Sequence, residues 1–345
     1  MTLRHLICTP AAIYNVPNWF EWDFRRMYFG SPSFAGPLDG WIDVGSLVLH
    51  TTNGGRSWDQ VDVGRPGRVK ISAVVERGDG NCICLAIRDY DNRPTRFPVL
   101  SVSLRDRIKN CIWVGSTNGY FSPPHHGHFI DSRSGWIVVV ETVDHVERSA
   151  LFQTLDCGET WERIARLPLV TEKLHFHDLR HGWRLCHGVE SDPSRAYRVR
   201  MDGDDTDDFI GGYTSLLERT ADGGRSWSEV LTVYQDLHDL AFTDRSAVAV
   251  GSNGCIFASL DRGSTWKEHP QITGEDLYAL CLRENGLGLA VGNESTILLT
   301  EDLGNRWALC SSDLPPLSLH GVHLIDESTG ILVATDGIYS FVLDP

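Results

Sequence analysis

The chain has 345 residues, with 31 Lys+Arg against 46 Asp+Glu and a net charge of −15. Affinity for nucleic-acid backbone rests on cationic neutralisation of phosphate, so this balance argues against nucleic acid as a partner. No run approaches the roughly 18 apolar residues of a membrane helix, and 11 Trp, 13 Phe and 22% charged residues describe a folded chain.

In chain order, Met1 to Val16 is broken by Cys8, Thr9 and Pro10 and offers no continuous signal-peptide core. Nine Cys, an odd number, sit mostly inside Val/Ile/Leu runs and read as small core residues of a reducing, cytoplasmic compartment. Leu3 to Cys8 is strand-like. Tyr14 to Phe29 collects Trp19, Phe20, Trp22, Phe24, Tyr28 and Phe29 beside Arg25 and Arg26. We read it as a cap over the core where the chain crosses from the last unit to the first, with an exposed docking patch as the alternative.

From there a composite repeat begins. The form F-x5-G-W appears as Phe34 to Trp41, Phe129 to Trp136 and Phe176 to Trp183, with relaxed versions from Val75, Phe242, Leu282 and Leu324. The apolar runs that follow, such as Trp136 to Val140, Ala247 to Val250 and Leu287 to Val291, read as buried strands. An eight-residue form, [S/T]-x-[D/N]-x-G-x-[S/T]-W, comes later in the unit at Thr51–Trp58, Thr154–Trp161, Thr220–Trp227, Ser259–Trp266 and Thr300–Trp307. In it, Gly supplies a positive φ, the acid or amide (Asn53, Asp156, Asp222, Asp261, Asp302) caps free N–H groups, and the Trp (Trp58, Trp161, Trp227, Trp266, Trp307) anchors the hairpin. The last copy has Arg306 in place of the hydroxyl, and Ser101 to Ile108 of the second unit lacks the form.

Units of about 40 residues with four strands describe propeller blades. The expected fold is therefore all-β: one domain over 1–345, a seven-bladed β-propeller with blades beginning near 28, 71, 125, 172, 238, 278 and 319. The last unit offers only three strands, so the N-terminal strand 3–8 is expected to complete it and close the ring.

The eight-residue repeats resemble the Asp-box (BNR) repeats of sialidases, the sortilin ectodomain, some xyloglucan-degrading hydrolases and photosystem II stability/assembly factor-like propellers. The likeness is greatest to the assembly-factor-like group, through Phe129-Ile-Asp131, Phe176-His-Asp178, Phe242-Thr-Asp244 and Thr220-Ala-Asp-Gly-Gly224. That resemblance implies a non-enzymatic scaffold for a protein partner, without cofactor or metal. Sialidases carry an F/Y-R-I-P segment, to which Phe24-Arg25-Arg26-Met27 does not conform. A glycan-acting hydrolase at the channel mouth is the alternative, with Glu172 and Asp239 as candidate carboxylates for a reaction that needs two.

Aligning the units on their inner-strand Phe compares equivalent positions around the ring. The slot four residues earlier holds Gly30, Ile71, His125, Glu172, His238, Tyr278 and His320, and the slot one residue earlier adds His128, His175 and His323. These positions are expected at the channel mouth, where three readings stay open: a solvated polar rim, a contact surface, or metal and acid–base chemistry. Cys82 and Cys84 would share one face of a strand as a buried pair. Segment 189–212, with Asp202-Gly-Asp204-Asp205-Thr-Asp207-Asp208, reads as a solvated acidic loop, since Tyr213 stands where a calcium loop needs Glu. Between Gln60 and Asn110 ten Lys/Arg face six Asp/Glu, a local excess of positive charge suited to an oriented protein partner or arising by chance on a solvated edge.

Overall fold

A computed structural model describes residues 4–12, 32–34, 36, 38–44, 47–61, 69–77, 81–88, 95–103, 107–117, 126–143, 146–189 and 213–344. Gly30, His125, the aromatic stretch 14–29 and the acidic segment 190–212 lie outside them. Among the described residues regular structure is all strand apart from two short 3-10 turns, Ser252–Gly254 and Asn293–Ser295. Among the described residues no helix is long and apolar enough to cross a membrane.

The strands form five four-stranded antiparallel sheets in chain order (residues 33–61, 69–117, 126–167, 170–233 and 237–268) and one eight-stranded sheet. The eight-stranded sheet consists of two runs of four. One covers 277–312; the other covers 319–343 and takes His5–Ala12 as its outermost strand. His5–Ala12 pairs antiparallel with Gly337–Leu343 and parallel with Ala308–Ser312. The first strand of the chain thus completes its last sheet. It extends four residues beyond the expected Cys8.

Apolar layers join neighbouring sheets. Val75, Ile83, Ile137 and Phe152 join the second and third sheets; Trp136, Leu151, Leu174 and Phe176 join the third and fourth; Trp183, Leu217, Ala249 and Phe257 join the fourth and fifth. The ring closes where Ile42, Leu49 and Trp58 of the first sheet meet Ile325, Ile331 and Val333 of the last.

The F-x5-G-W pattern has a steric basis. Phe176 pairs with Gly182 across the first two strands of its sheet, and a Cβ on Gly182 would lie 2.6 Å from the Phe176 ring. Gly40 under Phe34 and Gly135 under Phe129 repeat the arrangement at 2.3 and 2.6 Å, so only glycine leaves room for the ring. The following Trp enters the next interface, where Trp136 stacks on Phe176 at 3.8 Å.

The eight-residue turns share one hydrogen-bond scheme. Thr220 Oγ1 donates to Asp222 Oδ1 and accepts from the Gly224 N–H; the Ser226 N–H donates to Oδ1 and the Ser226 hydroxyl to Oδ2. These bonds hold the Asp222 carboxyl down at about 2, and the Thr265 bonds do the same for Asp261. In the variant copies Arg306 Nε donates to Asp302 Oδ2 at 2.7 Å, and Asn53 Nδ2 donates to Ser57 Oγ at 2.8 Å. The turn glycine also abuts the preceding sheet: a Cβ on Gly224 would lie 2.4 Å from Leu151, and one on Gly304 would lie 2.4 Å from Val248.

Two registers differ from the sequence alignment. In the second sheet Glu76, not Val75, pairs with Cys82, so the slot four residues earlier belongs to Ser72 rather than Ile71. Its inner strand has no Phe, and no Gly-Trp pair follows to fix the alignment. In the fifth sheet the first turn is one residue shorter, and Thr243 Oγ1, not Asp244, accepts the Ser246 N–H. Cys8, Cys82, Cys84, Cys157, Cys186, Cys255, Cys281 and Cys310 are free, and Cys82 and Cys84 are buried with their sulfurs 4.0 Å apart.

Candidate functional site

The inner strands converge on a common axis. A cavity of about 180 Å³ there is lined by Pro32, His126, Lys173, Asp239, Leu280 and Val322, among others, so residues from most of the sheets share one space. An ion pair crosses it, with Lys173 Nζ 3.0 Å from Asp239 Oδ1. Asp239 also accepts the Leu240 N–H at Oδ1 and the Leu280 N–H at Oδ2. Both oxygens of this candidate hydrolase carboxylate are therefore engaged. Sequence alignment passed over His126 and Lys173, which occupy the slot three residues before the inner-strand Phe; the same comparison moved one residue along finds them.

The slot four residues before the Phe has its own geometry. The pairing registers skip Ser72, Glu172, His238, Tyr278 and His320, so each stands at a β-bulge in its inner strand. A bulge leaves one residue unpaired and re-aims its side chain. Three of these side chains neighbour one another at the entries of the inner strands: His238 lies 5.3 Å from Tyr278, and Tyr278 lies 5.3 Å from His320, centroid to centroid. Glu172 is half-buried on its own bulge.

The slot one residue before the Phe lies elsewhere. His128 packs on His175 at 4.6 Å, His175 stacks on Phe242 at 4.4 Å, and His323 stacks on Phe34 at 3.9 Å. These rings fill the layers between sheets. The two slots are three residues apart, an odd spacing that the two-residue period of a strand places on opposite faces. Burial pushes His128 and His323 down to about 4 and holds His175 well below its ordinary range, so all three are neutral at pH 7.

Several of these imidazoles serve the backbone. His126 Nδ1 accepts the Leu174 N–H and His128 Nδ1 accepts the Phe176 N–H, each from the next sheet's inner strand. Ser149 and Ser215 hydroxyls accept the Thr171 and Leu237 N–H groups in the same way. An inner strand is a sheet edge, and its outward donors need partners when buried.

His238 differs from the buried three. Its Nδ1 donates to the Leu277 carbonyl at 3.0 Å, and Nε2 lies 3.4 Å from the Ser252 hydroxyl and 3.6 Å from Asp236. Burial would lower its proton affinity, but the Asp236 and Leu277 contacts and the Asp276 charge outweigh it and raise it. Asp236 is shared with His187, whose Nε2 lies 3.1 Å away. His320, with no such carboxylate, is lowered by burial. Among the described residues no three His, Cys, Asp or Glu side chains are grouped to hold a metal ion.

The two ends of the sheets differ in role. The first-to-second and eight-residue turns lie at one end. The entries of the inner strands and the second-to-third turns lie at the other, with His238, Tyr278 and His320. Val189 and Tyr213, which bracket segment 190–212, pair with each other at this second end.

No family model matches the chain, and no curated protein matches it. Solved structures do. YCF48 bound to D1 peptide is similar at 15% identity over 92% of each chain, with a TM-score of 0.61. YCF48 from Cyanidioschyzon merolae is similar at 13% identity, over 91% of this chain and 94% of that one, with a TM-score of 0.54. A streptogramin B lyase structure is similar at 11% identity over 98% of each chain, with a TM-score of 0.62. At such identities the likeness speaks for architecture, and with the sheets arranged about an axis it gives the fold: the chain is a β-propeller.

Proposed function

We propose that the chain is a seven-bladed propeller of the Asp-box type, the eight-stranded sheet counting as two blades, and that it is a scaffold for a protein partner and not a glycosidase. The observation that carries this reading is the channel itself. Its axis holds the Lys173–Asp239 ion pair, and its mouth is walled by the His238, Tyr278 and His320 rings. A glycosidase needs two available carboxyl groups flanking a cleft, and Asp239 is not available. A propeller of similar fold, YCF48, binds the D1 peptide, which supports a peptide segment as the partner class here. The free cysteines suit a cytoplasmic setting.

The mouth end is the proposed contact surface, with segment 190–212 springing from the same end. A photo-crosslinking residue at Tyr278, compared in native cells with one at Leu155 in an eight-residue turn of the opposite end, tests it. Crosslinked partner peptides are expected at position 278 and not at 155. Equal capture at both positions, or clear turnover of a fluorogenic glycoside panel, would overturn the reading.

A further inference from the structure

Around the mouth, one pair of side chains has an arrangement that a scaffold does not require. Ser252 follows the strand Ala247–Gly251 and opens a tight turn in which Asn253 has φ 54° and Gly254 φ 67°. Its backbone is held on both sides. The Ser252 N–H donates to the Asp236 carbonyl at 2.8 Å, and the Asn253 N–H donates to Asp236's counterpart in the next unit, Asp276, at Oδ1 and 2.8 Å. Gly251 is pressed so close that a Cβ would lie 2.0 Å from the Asp236 carbonyl oxygen. The hydroxyl that emerges from this clamp is half-buried and faces His238 Nε2 at 3.4 Å.

The tautomer follows from the other ring nitrogen. A carbonyl only accepts, so Nδ1 carries the proton donated to Leu277 O, and neutral Nε2 is left as the acceptor toward the Ser252 O–H. Nucleophile, base and a third group orienting the base are the parts of an activated hydroxyl, and their spacing is commonly looser before a substrate binds. Asp236, 3.6 Å from Nε2, stabilises the imidazolium once the proton has moved. The other ionisable groups facing His238 are His187, shared through Asp236, and Tyr278 and Asp276 from the next unit; His320 stands beyond Tyr278.

The molecule contains its own control. The equivalent turn Asn293–Ser295 repeats the backbone, with Glu294 at φ 50° and the Asn293 N–H on the Asp276 carbonyl at 2.9 Å. Asn293 and Tyr278 occupy the places of Ser252 and His238 there. The turn therefore forms without the serine and histidine, and their pairing is not needed by the fold.

We propose that Ser252 is a nucleophile for acyl transfer from small activated esters, with His238 as its general base. Ser252 Oγ attacks the ester carbonyl as Nε2 takes the hydroxyl proton. The tetrahedral adduct collapses, the ester C–O bond breaks, and the departing alkoxide or phenolate takes the proton from Nε2, leaving an acyl–Oγ ester. Water then adds to that ester, losing its proton to Nε2, which returns it to Oγ.

The test uses p-nitrophenyl acetate on the full chain, with peptide mass spectrometry to locate the acetyl group. One acetyl is expected on Ser252, absent in Ser252→Ala, forming at least about 100-fold more slowly in His238→Gln. The rate in the wild-type chain should rise with pH through the titration of His238, and that dependence should vanish in His238→Gln. Thermal unfolding reports whether each variant is folded, and Asn293→Ala serves as a variant in the matching turn that should leave the rate unchanged. Acetylation confined to lysines or cysteines, or Ser252 labelling at the same rate without His238, would overturn the proposal.

Discussion

His323 shows how a single side chain sets a pH response. It is stacked on Phe34 in the layer that closes the ring, its Nε2 has no hydrogen-bond partner among the described residues, and burial holds it down to about 4. In the unfolded chain the same imidazole titrates near 6.5. Between those values the unfolded state binds the proton and the folded state refuses it, so stability falls as pH drops through this window. His323→Phe removes that term and keeps the stack. Its unfolding free energy should change less between pH 7 and pH 5 than that of the wild type, by about 2 kcal/mol in denaturant titrations. An identical pH dependence in the two proteins would show that His323 is solvated after all. Asp43 has the opposite sign. Burial raises its carboxyl to about 7 against the weaker pull of backbone N–H groups, so its contribution is lost as pH rises toward and through that value.

Among the elements, the eight-residue turn was the most legible in sequence, because each of its positions has one local task. Hydroxyl, acid and glycine satisfy one another within eight residues, and no knowledge of the surroundings is needed to see it. The unnamed position before the glycine has a conformation that the pattern does not show. Gly54, Cys157, Gly223, Arg262 and Leu303 all have positive φ there, and three of the five are side chains for which this region is unfavourable. Cys157→Gly should therefore stabilise the protein by about 1 kcal/mol, read as a higher denaturant midpoint, whereas Cys157→Ala should not. Equal midpoints for the two variants would mean that the turn relaxes instead of bearing strain. The histidine slots were legible only in part. Alignment by residue count brought His238, Tyr278 and His320 to one place, but a count alone ignores the alternation of faces that turns His128, His175 and His323 into the layers between sheets. It is equally blind to the register of the second sheet, where alternating apolar residues fit either frame.

For the whole molecule, closure depends on one short strand. His5–Ala12 hydrogen-bonds to Gly337–Leu343 on one side and Ala308–Ser312 on the other; Arg4 pairs with Glu301, and the Cys8 N–H donates to Asp313. Removing residues 1–12 exposes two sheet edges at once. The truncated chain should melt at least about 10 °C lower and self-associate in light scattering, and a peptide of residues 4–12 should reverse both effects; an unchanged melting temperature would contradict the role given to this strand. That need for closure was readable from the three-stranded remainder after Leu324, because an unfinished sheet is a chemical deficit visible in sequence. The same pairing orders events in time. His5–Ala12 has its partners more than 300 residues later in the sequence, as Cys8 opposite Phe341 illustrates. During synthesis it must wait unmatched until those strands emerge, so the contact that shuts the ring is among the most delayed the chain can make.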